Sequence, residues 1–216
     1  MKLGAQLYTI REKCKDTESL NESLGKIAAI GYKYIQLSGF PYDPAAVRAM
    51  MINEVVPADP AQDFYGESGE ECLSTAIPLF RQAGLEVHSI QDILGMGVYI
   101  TNAVKTPKTA YAIEKERIDE SLPWLEAELA LFPNVQVIML CGDVAKKMVN
   151  TIVRKTARKS VIPSGATYKL RANTYYHGSI RVIPSYIITG GNLLIEKSKV
   201  QMIAEDIAAM AKIIRR

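Results

Sequence analysis

The chain has 216 residues, of which 48% are hydrophobic and 23% are charged. This length is enough for one domain of good size, or for one domain with a small appendage, and the composition is that of a globular protein with a real core. The formal net charge is only +3. A charge this small permits nucleic acid as a partner but does not by itself argue for it.

The cysteines and the apolar runs exclude several classes of protein. Cys14, Cys72 and Cys141 lie far apart in the sequence and do not form a Cys-x-x-Cys pair. The sequence therefore excludes a zinc ion or an iron–sulfur cluster held by four cysteines. Scattered cysteines in odd number indicate a reducing compartment, and we expect the cytoplasm. The N-terminus lacks the long apolar run and the cleavage site of a signal peptide. No run of about 18 apolar residues predicts a membrane span.

Strands and helices are predicted to alternate along the chain. Apolar spacing and turn residues predict strands at 2–9, 34–38, 47–56, 98–105, 135–140 and 180–183. The predicted helices are one that starts after Asp16 and ends at Gly31, and those at 70–83, 89–92, 118–132, 144–154 and 196–214, with a hairpin inside the basic residues 155–179. This alternation is typical of a three-layer α/β/α domain with a mainly parallel sheet. We expect that domain at residues 46–216, with an extra β-α-β unit appended at residues 1–45.

Four segments at or after predicted strand ends carry polar residues and glycines. They are Asn53-Glu-Val-Val-Pro-Ala-Asp-Pro-Ala-Gln-Asp-Phe-Tyr-Gly66, Tyr99-Ile-Thr-Asn-Ala-Val-Lys-Thr-Pro107, Val137-Ile-Met-Leu-Cys-Gly-Asp-Val-Ala-Lys146 and Arg181-Val-Ile-Pro-Ser-Tyr-Ile-Ile-Thr-Gly-Gly-Asn192. Ligands of parallel sheets bind beyond the carboxyl ends of the strands, so these segments are candidates for a site. Each also has a structural interpretation, in which the aspartates and the asparagine cap turns and Asp143 caps a helix.

Together these segments resemble the uracil-DNA glycosylase superfamily over nearly all of residues 47–216. The segment around Asn102-Ala-Val-Lys105 is the most specific match. The resemblance is to a branch without iron–sulfur cysteines. It implies a protein that binds DNA, flips out a uracil or a damaged base and hydrolyses its N-glycosidic bond. We expect a monomer that has no membrane partner and needs no metal and no organic cofactor.

The resemblance assigns roles to individual residues. Cleavage of an N-glycosidic bond builds positive charge on the sugar, which a carboxylate stabilises while it orients water. Glu54 and Asp59 are the preferred carboxylates, and Asp63 is a third candidate. An aromatic face stacks on a flipped base, and an asparagine amide reads the base edge with a donor and an acceptor. The residues implied to hold the base are Phe64, Tyr65, Asn102, Pro184, Ser185 and Tyr186, and those implied to contact DNA are Lys105, Gly142, Lys146, Gly190, Gly191 and Asn192.

One position departs from the superfamily pattern. Ile183 stands where the superfamily often has a histidine that stabilises the leaving uracil anion. His177 could approach the site from the predicted hairpin, or it could be an exposed loop residue. The departure leaves a second hypothesis open, a nucleic-acid or nucleotide-binding module that has kept the fold and lost catalysis.

The first 45 residues resemble a different family. Residues 2–11 and 27–36 are similar to the opening unit of sugar-phosphate isomerases of the xylose-isomerase-like barrel class. That class implies a third hypothesis, a metal-dependent isomerase. A full barrel needs roughly 200 residues and eight such units, which the rest of the chain does not supply. We therefore expect residues 1–45 to be an appended fragment without isomerase activity.

A basic stretch follows the third of the four segments. Residues 146–171 contain eight lysines and arginines and no acidic residue. Such a stretch suits contacts with nucleic-acid phosphates, which weaken as salt rises. The alternative is an ordinary solvated face.

Overall fold

The structure is a computed structural model that describes residues 4–6, 22, 25–26, 29, 34–36, 44–66, 70–108, 112–190 and 193–215. The chain divides into two units, residues 1–43 and 44–216. In the first unit, β1 (Gly4–Gln6) pairs in parallel with β2 (Tyr34–Gln36). Residues 22, 25, 26 and 29 between them are helical. This is the predicted β-α-β order, and the rest of that predicted unit lies outside the described residues.

The second unit contains five strands. They are β3 (Ala49–Val55), β4 (Val98–Val104), β5 (Val137–Cys141), β6 (Tyr175–His177) and β7 (Ile180–Ser185). They form one sheet in the order β4–β3–β5–β7–β6, in which only β6 runs antiparallel to its neighbour. The mainly parallel sheet is therefore confirmed. The hairpin predicted within residues 155–179 has only its first strand, β6, in that range, because β6 pairs with β7, the strand predicted at 180–183.

Six helices accompany the sheet in the described part of the second unit. They are α1 (Glu70–Gln82), α2 (Ile90–Gly95), α3 (Lys115–Leu129), α4 (Asp143–Ala157), α5 (Thr167–Leu170) and α6 (Lys197–Ile214). The short α5 was not predicted, because four residues are too few to show a helical period. No helix among the described residues is long and apolar enough to cross a membrane.

Side chains of each strand alternate between two covered faces of the sheet. On one face, Ala49 and Met51 of β3 belong to a core cluster with residues of α1 and α6. On the other face, Met50 and Ile52 are equally buried, and α3 and α4 pack there. Burial on both faces explains why β3 begins as a continuous apolar run. The predicted three-layer α/β/α arrangement is confirmed.

The carboxyl ends of the parallel strands meet at one edge of the sheet. Asn53 near the end of β3 lies opposite Asn102 in β4, and Cys141 at the end of β5 lies opposite Ser185 at the end of β7. We refer to this as the carboxyl edge. The pairing of the strands brings segments that are far apart in the sequence together at this edge.

A buried carboxylate ties α6 to the carboxyl edge. Asp206 is 5% exposed and accepts hydrogen bonds from the Ser185 hydroxyl at 2.6 Å and from Nη2 of Arg171 at 2.8 Å. Burial raises the pKa of Asp206 above its ordinary value, and the hydrogen bonds from Arg171 and Ser185 oppose this rise without cancelling it. A buried charge is tolerated when it is paired and hydrogen-bonded. Arg171 is therefore the cation that allows this carboxylate inside the domain.

We expect Arg171→Met to lower the free energy of unfolding by roughly 3 kcal/mol, because it leaves the buried Asp206 carboxylate without its cation. Urea denaturation measures the change. Lys212→Met is the matched control, since it removes a cation from an exposed position of α6. That control should change the free energy by no more than about 0.5 kcal/mol. Equal losses in the two variants would show that the ion pair contributes nothing specific.

Candidate functional site

Two neighbouring cavities open at the carboxyl edge. The Glu196 pocket has a volume of about 460 Å³, and its lining includes Glu54, Gly142, Ser185, Tyr186, Glu196 and Lys199. The Cys72 pocket has a volume of about 360 Å³, and its lining includes Asn53, Glu54, Pro57, Cys72, Pro107 and Lys108. Ile187, Thr189, Gly190 and Glu54 line both cavities. The segment 187–190 and the Glu54 side chain thus form their common wall.

Glu54 is held at the N-terminus of α4. Its Oε1 accepts a hydrogen bond from the backbone N–H of Val144 at 2.9 Å. The partial positive charge of a helix N-terminus favours a carboxylate there. Burial nevertheless raises the pKa of Glu54 above its ordinary value of 4.5, the Val144 hydrogen bond opposes this rise, and the nearby charge of Asp143 adds to it. The result is a fixed carboxylate whose pKa lies above the ordinary glutamate value.

Gly142 makes this position of Glu54 possible. A Cβ at residue 142 would lie 2.4 Å from Oε1 of Glu54, and the backbone φ of 112° also disfavours any other residue. The Gly142 N–H donates to the carbonyl of Ser185 at 3.1 Å. The predicted DNA-contacting glycine therefore lies in the wall of the Glu196 pocket, where it admits the carboxylate.

Ser185 and Tyr186 bring the last segment into the same pocket. The Ser185 hydroxyl donates a hydrogen bond to the Asp206 carboxylate. Its oxygen can then only accept further hydrogen bonds. Pro184 is buried inside β7 opposite Leu140, so it lies behind the pocket wall. Of the three residues predicted to hold the base from this segment, Ser185 and Tyr186 line a cavity with Glu54.

Asn53 anchors the common wall and was missed by the sequence analysis. It is 2% exposed, its Nδ2 donates to the Thr189 hydroxyl at 2.9 Å, and its Oδ1 accepts from the N–H of Ile188 at 3.4 Å. Both contacts hold the segment 187–190 in place. The available signal was an amide after a run of buried apolar residues, because such a group must find partners.

Asn102 lies beside Asn53 on the same face of the sheet, and only 3% of it is exposed. Its Nδ2 donates to Oδ1 of Asp63 at 3.0 Å. An ionised carboxylate can only accept, so this contact fixes the orientation of the amide. Among the described residues, Oδ1 of Asn102 has no hydrogen-bond partner. That oxygen is buried, and Asn102 is not among the residues that line the two cavities, so the structure does not bring this predicted base-holding residue into the walls with Glu54.

A comparison with models of protein families matches residues 38–189 to the uracil DNA glycosylase superfamily. The match covers more than half of the chain. The chain belongs to the uracil-DNA glycosylase superfamily. A search of curated proteins finds no match. Membership supports a glycosylase-like function, and the matched range contains Glu54, Asn102, Gly142 and Ser185.

Three predicted site residues of the first superfamily segment, Asp59, Phe64 and Tyr65, are not among the residues that line the two cavities. Asp59 is exposed and caps a short 3-10 helix (Pro60–Gln62), where it accepts from the N–H of Ala61 at 3.0 Å. Phe64 is 1% exposed and belongs to the core cluster. Tyr65 is 46% exposed and stacks on Tyr99, with 5.8 Å between the ring centroids. Asp59 thus makes the turn-capping contact of the structural interpretation, and the two aromatic rings have protein partners.

The predicted DNA-contacting lysines have internal partners. Nζ of Lys105 donates to Glu128 at 2.6 Å and to Thr101 at 2.9 Å. Lys146 is 6% exposed and is paired with Asp143 at 2.6 Å. The remaining predicted DNA contacts are three: Gly190, which lines both cavities, and Gly191 and Asn192, which lie outside the described residues.

Ile183, the position expected to depart from the superfamily pattern, has a buried side chain. Ile183 is 4% exposed and packs in the core cluster, so its side chain does not reach the cavities. His177 lies in β6 opposite Ile180, at the start of β7, whereas Ser185 is at the other end of that strand. His88 contacts Arg81 in the last turn of α1. His177 therefore does not approach the site from the hairpin within this fold.

The Cys72 thiol and the carboxylates limit the kinds of catalysis that the two cavities can support. Burial raises the pKa of the Cys72 thiol to about 12, so the thiol in the pocket wall stays protonated at neutral pH. A protonated thiol is a poor nucleophile. Within the described part of the chain, no group of three or more His, Cys, Asp and Glu side chains could hold a metal ion. Glu54 is the carboxylate common to both cavities.

We expect Gly142→Ala to lower the free energy of unfolding by about 1–3 kcal/mol more than Gly84→Ala, because only the first adds a methyl group against Glu54. Both glycines have positive φ, and a Cβ at Gly84 meets no atom within 4 Å. The pair therefore compares a glycine whose Cβ would clash with a glycine whose Cβ would meet no atom. Chemical denaturation of the two variants measures the difference. Indistinguishable losses would show that Glu54 does not need the space at residue 142.

Proposed function

We propose that this protein is a DNA glycosylase that hydrolyses the N-glycosidic bond of a flipped uracil, or of another damaged base, in base-excision repair. One observation carries the proposal. Glu54 is a half-buried carboxylate of raised pKa, fixed on a helix N-terminus in the common wall of two cavities. Perturbed carboxylates in clefts are typical of catalytic sites.

The proposed reaction uses Glu54 for water and for charge. As the C1′–N bond lengthens, positive charge develops on the sugar and the base leaves with the bonding electrons. The Glu54 carboxylate stabilises that charge and accepts a proton from the water that attacks C1′. The Val144 N–H bond keeps Oε1 in place during this step. The products are an abasic sugar and the free base, which takes up a proton.

Asn102 is the proposed reader of the base. Its Nδ2 is directed at Asp63, and its Oδ1 lacks a partner among the described residues. Because this oxygen is buried and Asn102 lines neither cavity, the proposal requires the amide to become accessible from the Cys72 pocket when the base binds. Its Oδ1 would then accept from the N3–H of uracil, whereas N3 of cytosine is itself an acceptor. A site built to hydrogen-bond one group rejects an analogue that lacks it, because its buried polar atom is then left unpaired. Asp63 would act as the positioning residue for the amide.

Ile183 favours a second candidate function, a DNA-binding module that has lost catalysis. Its buried alkyl side chain cannot stabilise a departing uracil anion. Loss of one such electrostatic contact costs an enzyme roughly 100-fold to 1,000-fold in rate. The second candidate therefore predicts DNA binding without base release.

We expect the wild-type protein to release free uracil from a uracil-containing oligonucleotide. Glu54→Gln should reduce the rate by about 100-fold or more, because it removes the group that accepts the water proton. Asn102→Ala should also reduce it and should weaken the preference for uracil. The exposed Asp119→Asn on α3 is the control that leaves the rate unchanged. Liquid chromatography of the released base measures all four proteins.

Two outcomes of this assay would overturn the assignment. If the wild-type protein binds the oligonucleotide and releases no uracil, the catalytic proposal fails and the binding module stands. If Asp59→Asn abolishes release and Glu54→Gln does not, the catalytic carboxylate is Asp59.

The raised pKa of Glu54 predicts two pH dependences. Uracil release should increase with pH as Glu54 loses its proton, with a midpoint above the ordinary glutamate value of 4.5. Because folding raises this pKa, the charged form costs stability, and the cost appears as pH rises through the folded-state pKa. Glu54→Gln should therefore be at least as stable as the wild type at pH 7, with no such advantage at acidic pH. Melting temperatures and rates across pH test both, and a less stable variant at pH 7 would contradict the assignment.

A further inference from the structure

A third cavity lies beside the Glu196 pocket and is lined mainly by α4 and the loop that follows it. This basic groove has a volume of about 390 Å³, and its lining includes Lys146, Lys147, Asn150, Arg154, Ser160 and Ser164. Lys147 and Arg154 are exposed, and they lie on one face of α4 because residues seven apart share a face. They are about 10 Å apart along the helix axis, so they can contact different phosphates.

The positive charge of the basic groove is largely uncompensated. Asp143 is the only acidic residue among the described residues that line it, and it is already paired with Lys146 at 2.6 Å. Lys155 on the same helix pairs with Glu126, whereas Lys147 and Arg154 have no carboxylate partner within the described ranges. The sequence contains no acidic residue from 144 to 195. A groove of this charge attracts an anion.

The far wall of the groove is fixed in place. Nδ2 of Asn150 donates to the carbonyl of Ile162 at 2.8 Å, and Oδ1 of Asn150 accepts from the N–H groups of Val161 at 2.9 Å and Ile162 at 3.0 Å. Ile162 itself is 1% exposed. These contacts attach the loop to α4, so a ligand that enters the groove does not have to order it. A preformed site binds more tightly because that entropy cost is absent.

The groove is adjacent to the Glu196 pocket of the proposed base site. Asp143 lines both the basic groove and the Glu196 pocket. Thr167, which also lines the Glu196 pocket, accepts a hydrogen bond from Nζ of Lys146 at 2.8 Å. A nucleotide at Glu54 would therefore have its neighbouring phosphates close to the mouth of the groove.

We propose that the basic groove binds the sugar-phosphate backbone of the DNA strand next to the flipped nucleotide, through Lys147 and Arg154. The Ser160 and Ser164 hydroxyls supply further donors for phosphate oxygens. This inference rests on the proposed function for the identity of the strand, but the binding it predicts requires no catalysis. Lys146 has its charge satisfied beneath the groove, so the two exposed residues carry the contact.

The test compares DNA binding across salt concentrations. Fluorescence anisotropy of a labelled duplex without uracil gives the affinity of the wild type and of Lys147→Gln/Arg154→Gln from about 50 to 200 mM salt. Each lost phosphate contact lowers the slope of log affinity against log salt by about 0.9, so the double variant should lose almost 2. The control is Lys212→Gln/Arg215→Gln, which removes the same charge from exposed positions at the end of α6.

Three outcomes would overturn the groove proposal: an unchanged slope in the groove variant, an equal decrease in the control, or displacement of the duplex by inorganic phosphate at the same phosphate concentration. Its failure is distinguishable from that of the proposed function. Loss of slope without uracil release by the wild type supports the groove and refutes the enzyme. Uracil release by the wild type, with an unchanged slope in the groove variant, supports the enzyme and refutes the groove.

Discussion

The close approach of Glu54 to the first turn of α4 is the contact on which the site depends. A half-buried carboxylate is costly, and the Val144 N–H together with the helix N-terminus offsets part of that cost. The approach is possible only because Gly142 has no side chain. The same glycine donates its N–H to Ser185, which joins the end of β5 to the end of β7. One residue without a Cβ thus joins three strands into a single site.

The two faces of the sheet contribute different chemistry to the carboxyl edge. Glu54 is oriented toward the α4 side, whereas Asn53 and Asn102 share the face covered by α1 and α6, since successive strand residues alternate. The carboxylate therefore serves both cavities while the two amides lie on one side of it. The wall segment 187–190 stays between the cavities because the Asn53 amide is hydrogen-bonded to Thr189 and to the N–H of Ile188.

Buried polar groups at the edge are arranged in pairs that hold functional side chains. Asp206 receives the Ser185 hydroxyl and the Arg171 guanidinium, and Asp63 receives the Asn102 amide. Each pair fixes the orientation of the side chain that donates to the carboxylate. The residue range that matches the superfamily contains Asp63, Asn102 and Ser185. Ile183, the position expected to depart from the superfamily pattern, is buried in the core cluster.

The sequence by itself determined the alternating elements, the three layers and the superfamily, because apolar periods and strand-end segments are local properties of the chain. It also brought Glu54, Gly142 and Ser185 forward as candidates. Tertiary structure decided the rest, since the partners lie far away in sequence: Lys105 is neutralised by Glu128, and Asn53 binds Thr189, 136 residues away. Spacing cannot distinguish the turn cap Asp59 from the half-buried Glu54. Only packing decides which carboxylate loses water, and burial is what changes its chemistry.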